Sequence, residues 1–186
     1  MKHLVVSVVA VVAVCSLAAS SFAAAQIGFN AIGPKLGFIL PEDPIESTFG
    51  FGLESDLGTI TPVIRLGAFL EYWSKGNDVG SYKWSWSDLA FGASGKYYFG
   101  QKGSLEPYAG AGLGLHRAKS EWEHPAWAGY YGATTYSVTN TEFGFHVMAG
   151  AEFEVGPKMK AFAELRYSLS TPDYLGIWGG VLYSLK

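Results

Sequence analysis

The chain has 186 residues, 13 Lys and Arg against 16 Asp and Glu, a formal net charge of −3 and one cysteine. That balance leaves no basic footprint for nucleic acid, a single thiol allows no internal disulfide, and the length fits one domain. Glycine, at 24 residues, weighs against long helices and suits a wall whose strands bend and pack closely.

Lys2 and His3 precede the apolar run Leu4 to Val14, and small residues lead to Ala23-Ala24-Ala25 before Gln26. A positive start, a short apolar core and an A-x-A site form the pattern of a secretory signal peptide over residues 1–25. The run is too short for a retained helical anchor of about 20 residues, and no other run approaches that length. Cys15 follows Val14, where a lipobox has a small residue, so it is assigned to the discarded segment. The exported domain is expected to span 26–186 and to lack cysteine.

Eight segments then alternate with period two, the signature of strands with two unlike faces. The first lies within Gly28 to Leu40, with Ile32, Leu36 and Phe38 on one face; it is the least regular and contains Pro34. The second is Thr48 to Leu57, with Phe49, Phe51 and Leu53 on its apolar face. The third, about Pro62 to Trp73, places Ile64, Leu66, Ala68, Leu70 and Tyr72 together. The fourth, about Tyr82 to Phe99, carries Leu89, Phe91, Ala93, Tyr97 and Phe99 outward. Trp84 and Trp86 fall in the opposite register, which predicts a bulge near Ser87-Asp88 or an extension beyond the wall. The fifth, Leu105 to about Ala118, sets Leu105, Pro107, Ala109, Ala111, Leu113 and Leu115 against Glu106, Tyr108, Gly110, Gly112, Gly114 and His116.

The sixth and seventh form a hairpin from Phe143 to Leu169 about Gly156-Pro157. Phe143, Phe145, Val147, Ala149, Ala151, Phe153 and Val155 oppose His146, Glu152 and Glu154; then Met159, Ala161, Ala163, Leu165, Tyr167 and Leu169 oppose Lys160, Glu164 and Arg166. The eighth is Gly176 to Leu185. Strands of soluble sandwiches run about 5–6 residues; these are about twice as long and suit a wall with lipid outside and polar groups within.

The connections alternate in length. Asp56 to Thr61, Gly100 to Ser104 and Gly156-Pro157 are short; Pro41 to Ser47, Ser74 to Ser81, Lys119 to Ser137 and Ser170 to Leu175 include the longer ones. Short turns at one end and longer loops at the other, with an even strand count, predict an all-β, eight-stranded antiparallel up-and-down transmembrane barrel with both termini on the periplasmic side.

The run Pro107-Tyr108-Ala109-Gly110-Ala111-Gly112-Leu113-Gly114-Leu115, with Phe143 to Phe153 and Ala163-Glu164-Leu165-Arg166-Tyr167-Ser168, resembles the broad family of small eight-stranded outer-membrane barrels of OmpX, OmpA-barrel and opacity-protein type. The resemblance spans essentially all of the exported chain. It implies residence in an outer membrane among phospholipid and lipopolysaccharide. It also implies insertion by the barrel assembly machinery, with Gly180, Tyr183 and Leu185 at the spacing of the assembly signal. Leu185-Lys186 departs from that signal, in which an aromatic residue is usual, and no peptidoglycan-binding domain of the OmpA type is expected after the barrel.

In these registers the inward polar set is Lys35, Glu54, Arg65, Glu71, Lys96, Glu106, His146, Glu152, Glu154, Lys160, Glu164 and Arg166. Charges of both signs on one face predict a paired network, because an eight-stranded barrel is only wide enough for side chains; a narrow ion path is the functional alternative. A rim metal site from His116, His124, Glu121 and Glu123 is the sharper reading of the histidines, and network membership the plainer one. No metal, cofactor or catalytic residue is expected. Lipid-deacylating barrels resemble a His-x-Ser arrangement, whereas His146 is followed by Val147-Met148 and His116 by Arg117-Ala118, so neither carries the serine partner a nucleophile needs.

Trp122, Trp127, Tyr130, Tyr131 and Tyr136 cluster in the third long connection, and Tyr82, Trp84 and Trp86 lie near the second. They read as girdle or loop packing, or as anchors for an extracellular ligand. Two function classes follow: a monomeric structural or surface-interaction barrel, and a small pore or solute carrier. A soluble ligand-carrying barrel would need the opposite polarity of its two faces.

Overall fold

The computed structural model describes residues 25–79, 82–100, 103–124 and 134–185. The expected signal peptide up to Ala24, and Trp127, Tyr130 and Tyr131, lie outside the described residues. Eight strands follow one another: β1 (Gln26–Pro41), β2 (Thr48–Thr61), β3 (Ile64–Val79), β4 (Tyr82–Tyr98), β5 (Leu105–His124), β6 (Thr134–Gly156), β7 (Met159–Leu169) and β8 (Tyr174–Ser184). Each pairs antiparallel with its sequence neighbours, and β1 pairs with β8, which closes the barrel.

The alternation in sequence becomes a division between outside and inside. Phe143 is 81% exposed and Leu36 and Phe49 are exposed with it, while Lys35, Glu54 and Glu71 are buried and Arg166 is fully enclosed. A continuous apolar exterior around a charged interior is unfavourable in water and favourable in hydrocarbon, where closure also leaves the wall without an open edge.

Pro34 stays within β1. It faces outward opposite Leu53, and the seam with β8 skips from Ile32↔Tyr183 to Lys35↔Gly180, so the missing N–H falls at a gap in pairing. Gly33 is needed at that gap, because a Cβ there would lie 1.6 Å from the Val181 carbonyl oxygen.

Three expectations need correction. First, β2 does not end at Leu57. It continues to Thr61 through a register shift at Asp56/Gly58, where Gly58 has φ +96° and donates its N–H to Asp56 Oδ1 at 2.6 Å. The shift satisfies the irregular backbone locally, so the turn signals Asp56 and Gly58 mark a bulge. Second, of the two readings of Trp84 and Trp86 the extension holds and the bulge does not: the ladder of β4 with β3 runs unbroken from Ile64↔Tyr97 through Ser74↔Ser87 to Val79↔Tyr82. Third, most of the residues assigned to the second and third long connections are strand. β5 reaches His124 and β6 starts at Thr134, paired from His124↔Thr134 inward.

The upper parts of β3 to β6 therefore form a four-stranded flap that outgrows the other half of the wall. β7 ends at Leu169 and β1 at Pro41, while β6 above Phe145 has no partner on its β7 side among the described strands.

Candidate functional site

The lumen is built in layers, each set by which inward positions the strands bring to one height. At the mouth beside the short turns, Arg65 Nη1 lies 3.2 Å from Glu106 and 3.4 Å from Glu152. Lys160 Nζ lies 2.6 Å from Glu106, and Tyr98 donates its hydroxyl to Glu152. The Arg65 guanidinium stacks 4.1 Å from the Tyr98 ring centre. This layer is partly wet: a cavity of about 230 Å³ opens beside it, lined in part by Asp56, Glu152, Glu154, Lys158 and Lys160.

Glu154 departs from its predicted place. It is exposed and among the described residues makes no ion pair, because it sits at the rim beside the register shift at Glu154/Gly156. Water there satisfies it without a partner.

The middle layer is dry. Lys35 Nζ is 2.7 Å from Glu54 and 2.6 Å from Glu71. Lys96 Nζ is 2.9 Å from Glu54 and 3.4 Å from Glu164. Arg166 donates from Nε to Glu164 at 2.9 Å and from Nη1 to Glu71, and Tyr108 donates to Glu164 at 2.8 Å. Three cations thus face three carboxylates, contributed by five strands, and each carboxylate has at least two cationic neighbours. Buried charge is tolerated only when paired and hydrogen-bonded in this way.

Above it, His116 Nδ1 lies 2.8 Å from Asp88 Oδ2, and His146 meets the Phe69 ring edge-on at 4.9 Å. Both histidines are buried. Gly144 and Gly112 make room for them, since a Cβ at either would approach an imidazole within 2.6 Å. His116 therefore does not join Glu121 at the rim. The two residues lie on opposite faces of β5, and Glu121 pairs with Lys119 at 2.7 Å. Among the described residues no group of three or more His, Cys, Asp or Glu is placed to hold a metal.

The top of the lumen is apolar. Ile39, Ile45, Trp73, Tyr174 and Trp178 form a buried cluster with Trp84 and Trp86 packed against it. Ile45 comes from the connection between β1 and β2, which folds inward. Gly37 and Gly176 leave space for the Trp178 indole; a Cβ at Gly37 would lie 2.5 Å from the ring. Trp84 and Trp86 thus owe their inverted register to this lid, and no bulge is involved.

Sequence reasoning placed Tyr108 on the inward face and missed Asp88, Tyr98, Tyr174 and Trp178 as members of the interior. The signal was present, since each stands in the register opposite to the lipid face.

Beyond the lid, Trp122 lies opposite Trp84 on β4 and Tyr136 on β6, and Trp122, Tyr136 and Val138 are exposed. The assembly-signal residues sit at the other end. Tyr183 and Leu185 are exposed on the outer wall, and Gly180 leaves room for the Phe162 ring, which a Cβ would approach at 2.7 Å.

The sequence matches the outer membrane protein beta-barrel domain over residues 4–181. No curated protein matches it in sequence. Among solved structures it is similar to Neisserial surface protein A, at 19% identity and a TM-score of 0.59 over 83% of this chain and 96% of that one. It is also similar to Yersinia pestis Ail solved with the heparin analogue sucrose octasulfate, at 16% identity, TM-score 0.54, and 84% and 97% coverage. The N-terminal barrel of Pseudomonas aeruginosa OprF gives 16% identity, TM-score 0.51, and 85% and 99% coverage. These likenesses establish the fold. With the closed eight-stranded wall and its inverted polarity, they lead to one conclusion: the chain belongs to the outer membrane protein beta-barrel domain family, and its place is the outer membrane of a Gram-negative bacterium.

Proposed function

We propose that the barrel is a sealed membrane scaffold, without catalytic activity, whose work is surface interaction through the β3–β6 flap. The observation that carries this is the flap's geometry over a closed lumen. Strand β6 from Thr134 to Gly144 is paired on its β5 side alone among the described strands, while Trp122, Tyr136 and Val138 stand exposed on the same sheet. A free strand edge offers main-chain hydrogen bonds to an extended partner, and neighbouring aromatics supply contact area. The Tyr-Ser-Val-Thr-Asn-Thr run of β6 has no Lys or Pro, the usual devices that blunt an edge.

Residues 1–25 direct export and are then removed, insertion is directed by Gly180, Tyr183 and Leu185, and the folded barrel is a monomer in its lipid. The Ail relative solved with a heparin analogue makes a sulfated glycan a suitable first probe. Deletion of Glu121 to Thr135 removes the tip of the flap and spares the wall. Cells producing the full chain should attach to immobilised heparin, and cells producing the deletion should not, with heat-modifiable migration unchanged. Equal attachment by both would remove the flap from that interaction.

A further inference from the structure

The outward face of β4, β5 and β6 changes abruptly at one height. Phe91, Leu115 and Phe143 lie side by side across the three strands, and the next inter-strand row is Leu89, Arg117 and Thr141. The row above that is Ser87, Lys119 and Thr139. Cations and hydroxyls therefore stand directly on the upper border of the apolar wall, pointing away from the lumen and from the flap's aromatic face. Lys119 is held by Glu121 at 2.7 Å, whereas the exposed Arg117 makes no hydrogen bond or ion pair among the described residues.

The part of the rim formed by the β1–β2 and β7–β8 connections has the opposite sign. Glu42, Asp43 and Glu46 are exposed in the connection from β1 to β2. Asp173 adjoins them, its carbonyl accepting the Glu42 N–H at 2.9 Å. Lys75 on that side is already paired with Glu46 at 2.9 Å.

We propose that the β4–β6 sector is a binding site for a phosphorylated lipid of the outer leaflet. Arg117 and Lys119 take the phosphate, Ser87, Thr139 and Thr141 donate further hydrogen bonds, and the acyl chains lie along Leu89, Leu115 and Phe143. A guanidinium presents paired N–H groups that match phosphate oxygens, and a free one gives up no existing partner on binding. The commitment to lipid rests on position: only an amphiphile gains from apolar side chains immediately below the cations. The acidic rim repels the same headgroup, so the site is confined to one sector. This inference stands apart from the flap's role in surface interaction.

The test is titration of the purified full-length barrel in a neutral detergent with bisphosphorylated lipid A, read by native mass spectrometry. The Arg117→Gln/Lys119→Gln variant should bind about tenfold more weakly, a loss on the scale of one charge-assisted contact. Lys75→Gln on the acidic side should bind as the native chain does, and lipid A stripped of its phosphates should bind the native chain no better than the double variant binds lipid A. Arg117→Lys keeps the charge without the paired donors and should weaken binding about threefold, which covers the case in which the double variant does not fold. Unchanged affinity in a folded double variant, or in Arg117→Lys, overturns the proposal. So does an equal loss in Lys75→Gln. Displacement of lipid A by an equal concentration of sucrose octasulfate would mark a site for soluble polyanions and overturn it also.

Discussion

Lys35 on β1 and Glu71 on β3 stand 36 residues apart in sequence, and their charged ends meet at 2.6 Å in the middle of the lumen. Neither touches water, and Glu71 also receives Arg166. Glu71→Ala should therefore leave two cations short of a partner and cost about 3–5 kcal/mol. Urea unfolding in lipid vesicles measures this. The double replacement Lys35→Met/Glu71→Leu should cost much less than Glu71→Ala, because it removes the stranded charge. A single variant as stable as the native barrel would mean that the network tolerates unpaired charge.

Gly37 and Trp178 offer a second test. The indole occupies the space a side chain at position 37 would need, with 2.5 Å left for a Cβ. Gly37→Val should destabilise the barrel by about 1–3 kcal/mol through overpacking. Combining it with Trp178→Ala should recover part of that loss. An additive double variant would show that Trp178 can move aside without cost.

The flap's placement can be read on living cells. The proposed exported chain carries no cysteine, since the one cysteine is Cys15. Val138→Cys, on the exposed upper part of β6, should react with a membrane-impermeant maleimide on intact cells. Glu154→Cys, at the mouth beside the short turns, should react only after the outer membrane is opened. The reverse pattern would invert the orientation.

Intact mass of the purified protein should begin at Gln26. A mass that retains Cys15 would contradict cleavage after Ala25.

Much of the wall was legible in the sequence because lipid imposes a strict alternation. From Phe143 to Leu169 every second residue is apolar, and the structure places that register outside. The structure brings Lys35, Glu54, Glu71, Lys96, Glu164 and Arg166 together at the center and Arg65, Glu106, Glu152 and Lys160 at the mouth. The flap was illegible for a physical reason. Above the membrane the parity reverses: Tyr136 and Val138 alternate with Thr135, Ser137 and Thr139 in the register opposite to Phe143 and Phe145, so no single period-two pattern runs from the flap into the wall. What remained was β propensity in Thr, Val and Tyr, which reads poorly against loop composition. The aromatic lid was hidden differently: Trp84 and Trp86 keep the alternation and change only which chemistry faces inward.

The central claim is that the lumen is closed by its own side chains, apolar above and ion-paired below. Planar-bilayer recording of the purified barrel tests this most directly. The account predicts a silent bilayer with the native chain. Steady unitary channels from natively folded protein would contradict it.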